Sequence, residues 1–515
     1  MRSRSWALLL LAAAGCSRCG AKPAASALEL LPPHPGGAVV AAPLGVLAQH
    51  LSALADRAVS LPGGDQIGDG RRALAAQLGF DPLTRDGLLA AGLDPERGAA
   101  LALLAGPDRP DWIAALPVAK SDAFLATVQR LAERSGFAPA AQQPQGARVY
   151  EGRGRRMAVA VIRGFGVLAR TADPAASVAE ADARPPGQSL TRDPGLDGAR
   201  KRLGAQDLIF WAPAGSGLPP RLTSRTLPGD AALSLQAAEQ GIALRMFAQL
   251  PQAQAQEVQA ALPGGGASLV ELLPPEAPVR GRLGIAPARL LESLRGNPEL
   301  GPLLARLHGA DAEAFASVAP GVAVALMLAK GANLGQAVDY GFDWRVRSPF
   351  ETVQLVALAE VRDRQRLLRA LEQVGKELPA LGARVGRSGD DFQVSYPAGK
   401  GARFGVREIE GKPIAYLMGG PLRPDELRRT PRAAELPSAV LYADAGAALR
   451  VDFGKLAASL LALPQDAYGS GPQAYVSRSF VSQVIEPLRT VRLMLSAEAF
   501  PDRLGATLDV ELSAP

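Results

Sequence analysis

The 515-residue sequence has only two cysteines, Cys16 and Cys19, only three histidines, His34, His50 and His308, and 5% aromatic residues. Each scarcity excludes something. Both cysteines fall in the first twenty residues, so no disulfide can cross-link the rest, and its stability must come from burial and backbone hydrogen bonds. Three scattered histidines leave little material for a zinc site or a Ser-His-Asp triad. Sparse aromatics remove the stacking platforms of nucleic-acid grooves, and no nucleic-acid partner is expected. G-x-S-x-G, H-E-x-x-H and Walker-type patterns are also missing. No catalytic, cofactor-binding or metal-ligating residue is therefore assigned, and the balance lies against an enzyme.

What is present begins at the N-terminus. Arg2 and Arg4 precede an uncharged apolar run from Trp6 to Ala14, and the small residues Ala13, Ala14 and Gly15 stand directly before Cys16. That is the pattern of an export leader over 1–15. Its apolar run falls well short of the ~20 residues that cross a bilayer. The stretch AAAGCS resembles the lipobox of bacterial lipoproteins, with Ala13 where Leu is commoner. The resemblance implies acylation of Cys16 and a membrane partner through that lipid. Residues 16–27 would then be a tether. Ser17, not Asp, follows the anchor, which favours the outer over the inner membrane of the cell envelope. C-S-R-C lacks the strand-and-helix setting of a redox pair, and Gly20 replaces the His of a haem-attachment motif.

The remainder is long enough for two to four domains, and its 48% apolar and 21% charged residues are ordinary for a globular chain. Loss of Arg2 and Arg4 with the leader would take the formal charge from +6 to +4, mild for this length.

An internal repeat organises the chain. LELLPPHPGGAVVAAPLGVLAQHLSAL (28–54) reads like VELLPPEAPVRGRLGIAPARLLESL (270–294). GAALALL at 98–104 then corresponds to GVAVALM at 321–327, and the strand and helix from Trp112 to those from Val353. Helical spacing recurs at Phe124, Val128 and Leu131 in one copy and at Leu367, Leu371 and Val374 in the other. Alternation and glycine turns give antiparallel strands at 149–170, matched by the run from Val394 to Met418. LIFWAPAG at 208 resembles VLYADAG at 440, and GIALRMFAQL at 241 lies over LGATLDVEL at 504.

The expected fold is α+β, with two tandem related domains at 28–255 and 268–515, each a largely antiparallel sheet with helices packed on one face. The stretch 256–267, ending in LPGGGA, has the composition of a flexible linker. The openings ELLPPHPGGAVV and ELLPPEAPVRG, the strand DWIAALPV and the helix start SDAFL resemble an uncharacterised bacterial exported lipoprotein family with an L-P-x-D-like opening strand. That resemblance implies an anchored extracytoplasmic protein and no particular activity.

Other candidates read as structure. His34 lies in a Pro-Pro turn, His50 within an amphipathic helix and His308 before Gly309, all as surface or boundary histidines. Ser216 and Ser470, each beside glycines, lack the strand-to-helix context of a nucleophile. Asp81, Asp86, Asp94 and Glu96 do not have the spacing of a calcium loop, and Asp81-Pro82 and Asp94-Pro95 suit turns or helix entries. Basic clusters at 153–156, 200–202 and 428–432 read as solvated faces, with anionic headgroups or polysaccharide as the functional option. The leading expectation is a non-catalytic envelope lipoprotein that binds a protein or lipid partner or serves a structural role. The alternatives are a carrier of an apolar ligand, which requires an open apolar pocket, and a hydrolase with a cryptic site.

Overall fold

The computed structural model describes residues 26–512, apart from 60, 62–63, 105–110, 153, 217–228, 239, 299–300, 330–331, 333, 335–349, 351, 397–398, 421, 428–445 and 470. Cys16, Cys19 and the leader lie outside the described residues. The chain divides into two compact units, one ending at Pro251 and one starting at Gln252.

In the first unit the strands are β1 (Gly37–Pro43), β2 (Gly98–Leu104), β3 (Asp111–Pro117), β4 (Ala138–Pro139), β5 (Arg148–Gly152), β6 (Arg155–Ile162), β7 (Phe165–Arg170), β8 (Leu208–Ala212), β9 (Ala231–Ala238) and β10 (Gly241–Gln249). All neighbours pair antiparallel, in the order 10-9-8-1-2-3-7-6-5-4. Its helices are α1 (Leu44–Ala58), α2 (Gly64–Leu78), α3 (Arg85–Ala90), α4 (Ser121–Arg134), α5 (Pro174–Ala183) and α6 (Pro194–Leu203).

These helices cover both faces of the sheet, not one. Residues alternate along β3: Trp112, Ala114 and Leu116 meet Leu44 of α1, Leu88 of α3 and Phe124 and Val128 of α4. Ile113 and Ala115 meet a second core that holds Val178 of α5 and Leu196 and Ala199 of α6. The physical reason is visible in the strand itself, since DWIAALP is apolar at successive positions and a strand buried on one face only would alternate with polar residues. Burying each large apolar side chain contributes about 1.5–3 kcal/mol, and β3 contributes to a core on each of its faces.

The second unit has β11 (Val279–Leu283), β12 (Val318–Leu328), β13 (Val353–Val361), β14 (Arg384–Ser388), β15 (Asp391–Tyr396), β16 (Gly399–Ile409), β17 (Lys412–Gly419), β18 (Ala447–Asp452), β19 (Val491–Ala499) and β20 (Arg503–Leu512). Its antiparallel order is 20-19-18-11-12-13-17-16-15-14. Numbered from its own first strand, this is the order of the first unit. The place of β8 is taken by β18, downstream of VLYADAG, of which residues 440–445 lie outside the described residues.

The helices of this unit are α7 (Gln252–Ala261), α8 (Pro287–Gly296), α9 (Gly301–Ala305), α10 (Ala310–Ala316), α11 (Arg364–Glu377), α12 (Phe453–Leu461) and α13 (Gly471–Phe480). Asp363 caps α11 by accepting the Arg366 N–H at 2.9 Å. In the first unit Ser121 and Asp122 sit inside the first turn of α4, whose cap position is Lys120.

The stretch 256–267 is not a loose joint. Residues 256–261 complete α7, which touches β19 and β20. Gly265 and Gly321 both have positive φ, +101° and +94°, and cross so closely that a Cβ on Gly321 would lie 2.3 Å from the Gly265 carbonyl carbon. The buried Arg282 donates from Nη1 to the Gly265 carbonyl at 2.8 Å. Among the described residues no helix is long and apolar enough to cross a membrane.

Candidate functional site

The second unit carries an open cleft of about 700 Å³ on β14–β17 and the turn that follows, lined by Arg384, Arg387, Asp391, Arg403, Arg407, Tyr416, Arg423 and Asp425 among others. Strand alternation builds it. Phe392 and Phe404 are register partners that stack with centroids 5.1 Å apart. They face α11, where a Cβ on Gly375 would lie 3.4 Å from the Phe392 ring. The residues of opposite parity on the same two strands, Asp391 and Gln393 on β15 and Arg403 and Arg407 on β16, therefore stand on the opposite face. Tyr416 pairs across from Gly405 on that face. A Cβ at Gly405 would lie 3.1 Å from the Tyr416 hydroxyl, so its lack of a side chain leaves room for that ring.

The floor of the cleft is a closed network. The Tyr416 hydroxyl donates to Asp391 Oδ1 at 2.5 Å, and Arg407 donates to Asp391 Oδ2 at 3.1 Å and also pairs with Asp425. Burial, and then the hydrogen bond to Asp391, push the Tyr416 phenol well above its ordinary range. Of the remaining arginines, Arg387 is paired with Glu372 at 2.6 Å. Arg384, Arg403 and Arg423 have no ion-pair partner among the described residues. Three guanidinium groups thus face a concave surface whose carboxylates are already engaged. Their planar donor forks match the oxygens of phosphate, sulfate or carboxylate groups.

Tyr150 and Tyr468 share the upward shift of Tyr416, burial being the largest cause in each. The Tyr468 hydroxyl also donates to the Leu460 carbonyl at 2.5 Å, a bond that only the neutral phenol can make. Unfolded phenols ionise near the usual value of about 10, whereas these keep their protons in the folded chain. Stability should therefore be fully present below pH 10 and fall above it, by up to about 1.4 kcal/mol per pH unit for each tyrosine. Urea midpoints at pH 9 and pH 11, read beside phenolate absorbance, test this; a midpoint unchanged at pH 11 would contradict it.

The histidines are separate. His34 is exposed, 3.9 Å from Asp193, and His308 is exposed, 3.5 Å from Glu377. His50 sits at the boundary of the unit. It is only partly exposed, and its Nδ1 lies 2.9 Å and 3.1 Å from the two carboxylate oxygens of Asp207, a residue 157 positions away and 5% exposed. The carboxylate assigns the proton to Nδ1. No serine, threonine or cysteine side chain among the described residues hydrogen-bonds the ring, so the pair acts as a pin between α1 and the sheet.

Asp81 and Asp94 accept backbone N–H groups two residues on, from Leu83 and Glu96, as turn residues do. Asp86 lies in the first turn of α3 and Glu96 pairs with Arg85. Among the described residues no group of three metal-ligating side chains converges. Ser216 lies in a turn, its N–H bonded to the Pro213 carbonyl, while Ser470 lies outside the described residues. Of the basic clusters, Arg156 pairs with Glu151, Lys201 with Asp197, and Arg202 covers the Phe247 ring; Arg153, Arg428, Arg429 and Arg432 lie outside the described residues.

The cleft arginines escape a scan for runs of charge because 384, 403 and 423 lie about twenty residues apart. A partial signal existed in RFGVR, where Phe404 and Val406 facing the core put Arg403 and Arg407 together on the other face.

No family model matches the sequence, and no curated protein matches it. Among solved structures the chain is similar to two crystal forms of TP0453. Form III is 10% identical over 48% of this chain and 89% of that one, with a TM-score of 0.28. Form I is 9% identical over 47% and 87%, with a TM-score of 0.27. Likeness at that level carries no argument about fold or function.

Proposed function

We propose that this chain is a membrane-anchored envelope lipoprotein, held through acylated Cys16, whose folded part is a non-catalytic binding module for an anionic ligand. The observation that carries the binding half is the trio of guanidinium groups, Arg384, Arg403 and Arg423, that line the cleft without an ion-pair partner among the described residues. The anchoring half rests on AAAGCS and the leader before it. Ser17 after the anchor favours the outer membrane, and the same openings support membership of the exported lipoprotein family named above. The common strand order of the two units supports descent from one duplicated domain.

Calorimetric titration with inorganic pyrophosphate and a set of phosphorylated and carboxylated sugars tests the binding half. At least one compound should bind with an affinity that falls as salt rises. Arg384→Ala and Arg403→Ala should each weaken it about tenfold, equivalent to about 1.4 kcal/mol. Equal affinity in the wild type and both variants would remove the cleft as the site.

A further inference from the structure

The most exposed large apolar side chains of the described chain are gathered on one helix. Tyr475, Val476 and Phe480 of α13 are 79%, 65% and 54% exposed. The helix is nevertheless docked: Ala474 on its inner side, with Val481 and Ile485 of the following turn, packs with Leu460 and Tyr468. The outward apolar residues are therefore held in place while facing solvent. Apolar side chains grouped this way are unfavourable in water and mark a contact surface. No acidic residue occurs in α13, and its one charged side chain, Arg478, is exposed beside them.

We propose that this face of α13 docks on an anionic bilayer, with Tyr475, Val476 and Phe480 entering the boundary between headgroups and acyl chains and Arg478 meeting lipid phosphate. Three features favour lipid over a protein groove. Aromatic rings prefer the membrane interface. Arginine can lay its stem along apolar surface while its charge stays among headgroups, and a helix with no carboxylate of its own adds no repulsion from anionic lipid. The positions i, i+1 and i+5 spread over a broad arc, unlike the narrow i, i+4, i+7 ridge that fills a groove. Such a contact would orient a chain that an acyl tether only tethers, and to that extent it rests on the reading of this chain as a membrane-surface protein.

The test uses the chain from residue 16 with Cys16→Ser, so that neither leader nor acyl group contributes. Co-sedimentation is measured with phosphatidylcholine vesicles, with and without phosphatidylglycerol. The expected result is binding to the phosphatidylglycerol vesicles that weakens with salt, reduced at least tenfold by Val476→Asp and by Phe480→Asp. Circular dichroism and thermal midpoint should not change, because both side chains already face water. A Tyr475→Trp variant should shift its emission to the blue on the same vesicles. Absence of binding, binding by either Asp variant equal to that of the unsubstituted chain, or an unshifted tryptophan would each overturn the proposal. So would a dimer in sedimentation velocity that the Asp substitutions dissociate, since the face would then join two copies of the chain. Acyl labelling of the natural chain is a separate measurement, so the anchor can stand or fall independently.

Discussion

Asp207→Ala should destabilise the first unit by about 2–4 kcal/mol, the scale of leaving buried polar groups without partners. The Asp207 carboxylate is buried at the start of β8 and holds two neighbours: it accepts from the His50 ring on α1 and from the Ala237 N–H of β9 at 2.7 Å. Its backbone adds two more links, donating to the Leu235 carbonyl of β9 and accepting from the Ala42 N–H of β1. Alanine keeps the backbone links and strands both side-chain partners, and the Ala237 N–H is too deeply buried for water to replace the lost acceptor. Asp207→Asn retains one acceptor oxygen for Ala237 and an amide that can face His50, so it should recover more than half of the loss. His50→Ala should cost less than Asp207→Ala, because the ring is partly exposed and the carboxylate keeps Ala237. Urea unfolding followed by Trp112 and Trp211 fluorescence, both in the first unit, measures the series. Equal stability of Asp207→Ala and the wild type would show that the pin contributes nothing.

Cys16→Ser is the second large effect, and it acts on covalent chemistry instead of folding. The proposed acyl group needs the thiol sulfur, and a serine hydroxyl does not replace it. Radiolabelled fatty acid should be incorporated by the wild type and not at all by the variant. N-terminal mapping should find mature chains starting at residue 16 only in the wild type. Cys19→Ser, three residues on, should leave both readouts intact. Label or cleavage at residue 16 persisting in Cys16→Ser would end the lipoprotein reading and leave the cleft to be judged separately.

Much of the architecture was legible because it is written in short-range periodicity. Phe124, Val128 and Leu131 place one face of α4, and all three are buried. The alternation and glycine turns between 149 and 170 became the β5–β6–β7 meander. Helices lie on both faces of the first sheet where one was expected, and the unbroken apolar run in DWIAALP carries that information. The composition of the glycines at 264–266 suggests a flexible joint, whereas the conformational freedom of Gly265 and Gly266 serves a close backbone crossing with Gly321.

By itself, then, the sequence determined the α+β class and local elements such as α4 and the β5–β6–β7 meander, because residues a few positions apart decide local backbone preference and which side faces a core. Only the tertiary structure decided which distant side chains meet. His50 finds Asp207 across 157 positions because β1 and β8 are neighbours in the sheet. Arg384 and Arg403 converge on one cleft because β14, β15 and β16 lie side by side. Charge spread along a chain has no period to read; its meaning depends on strand pairing, which long-range packing selects.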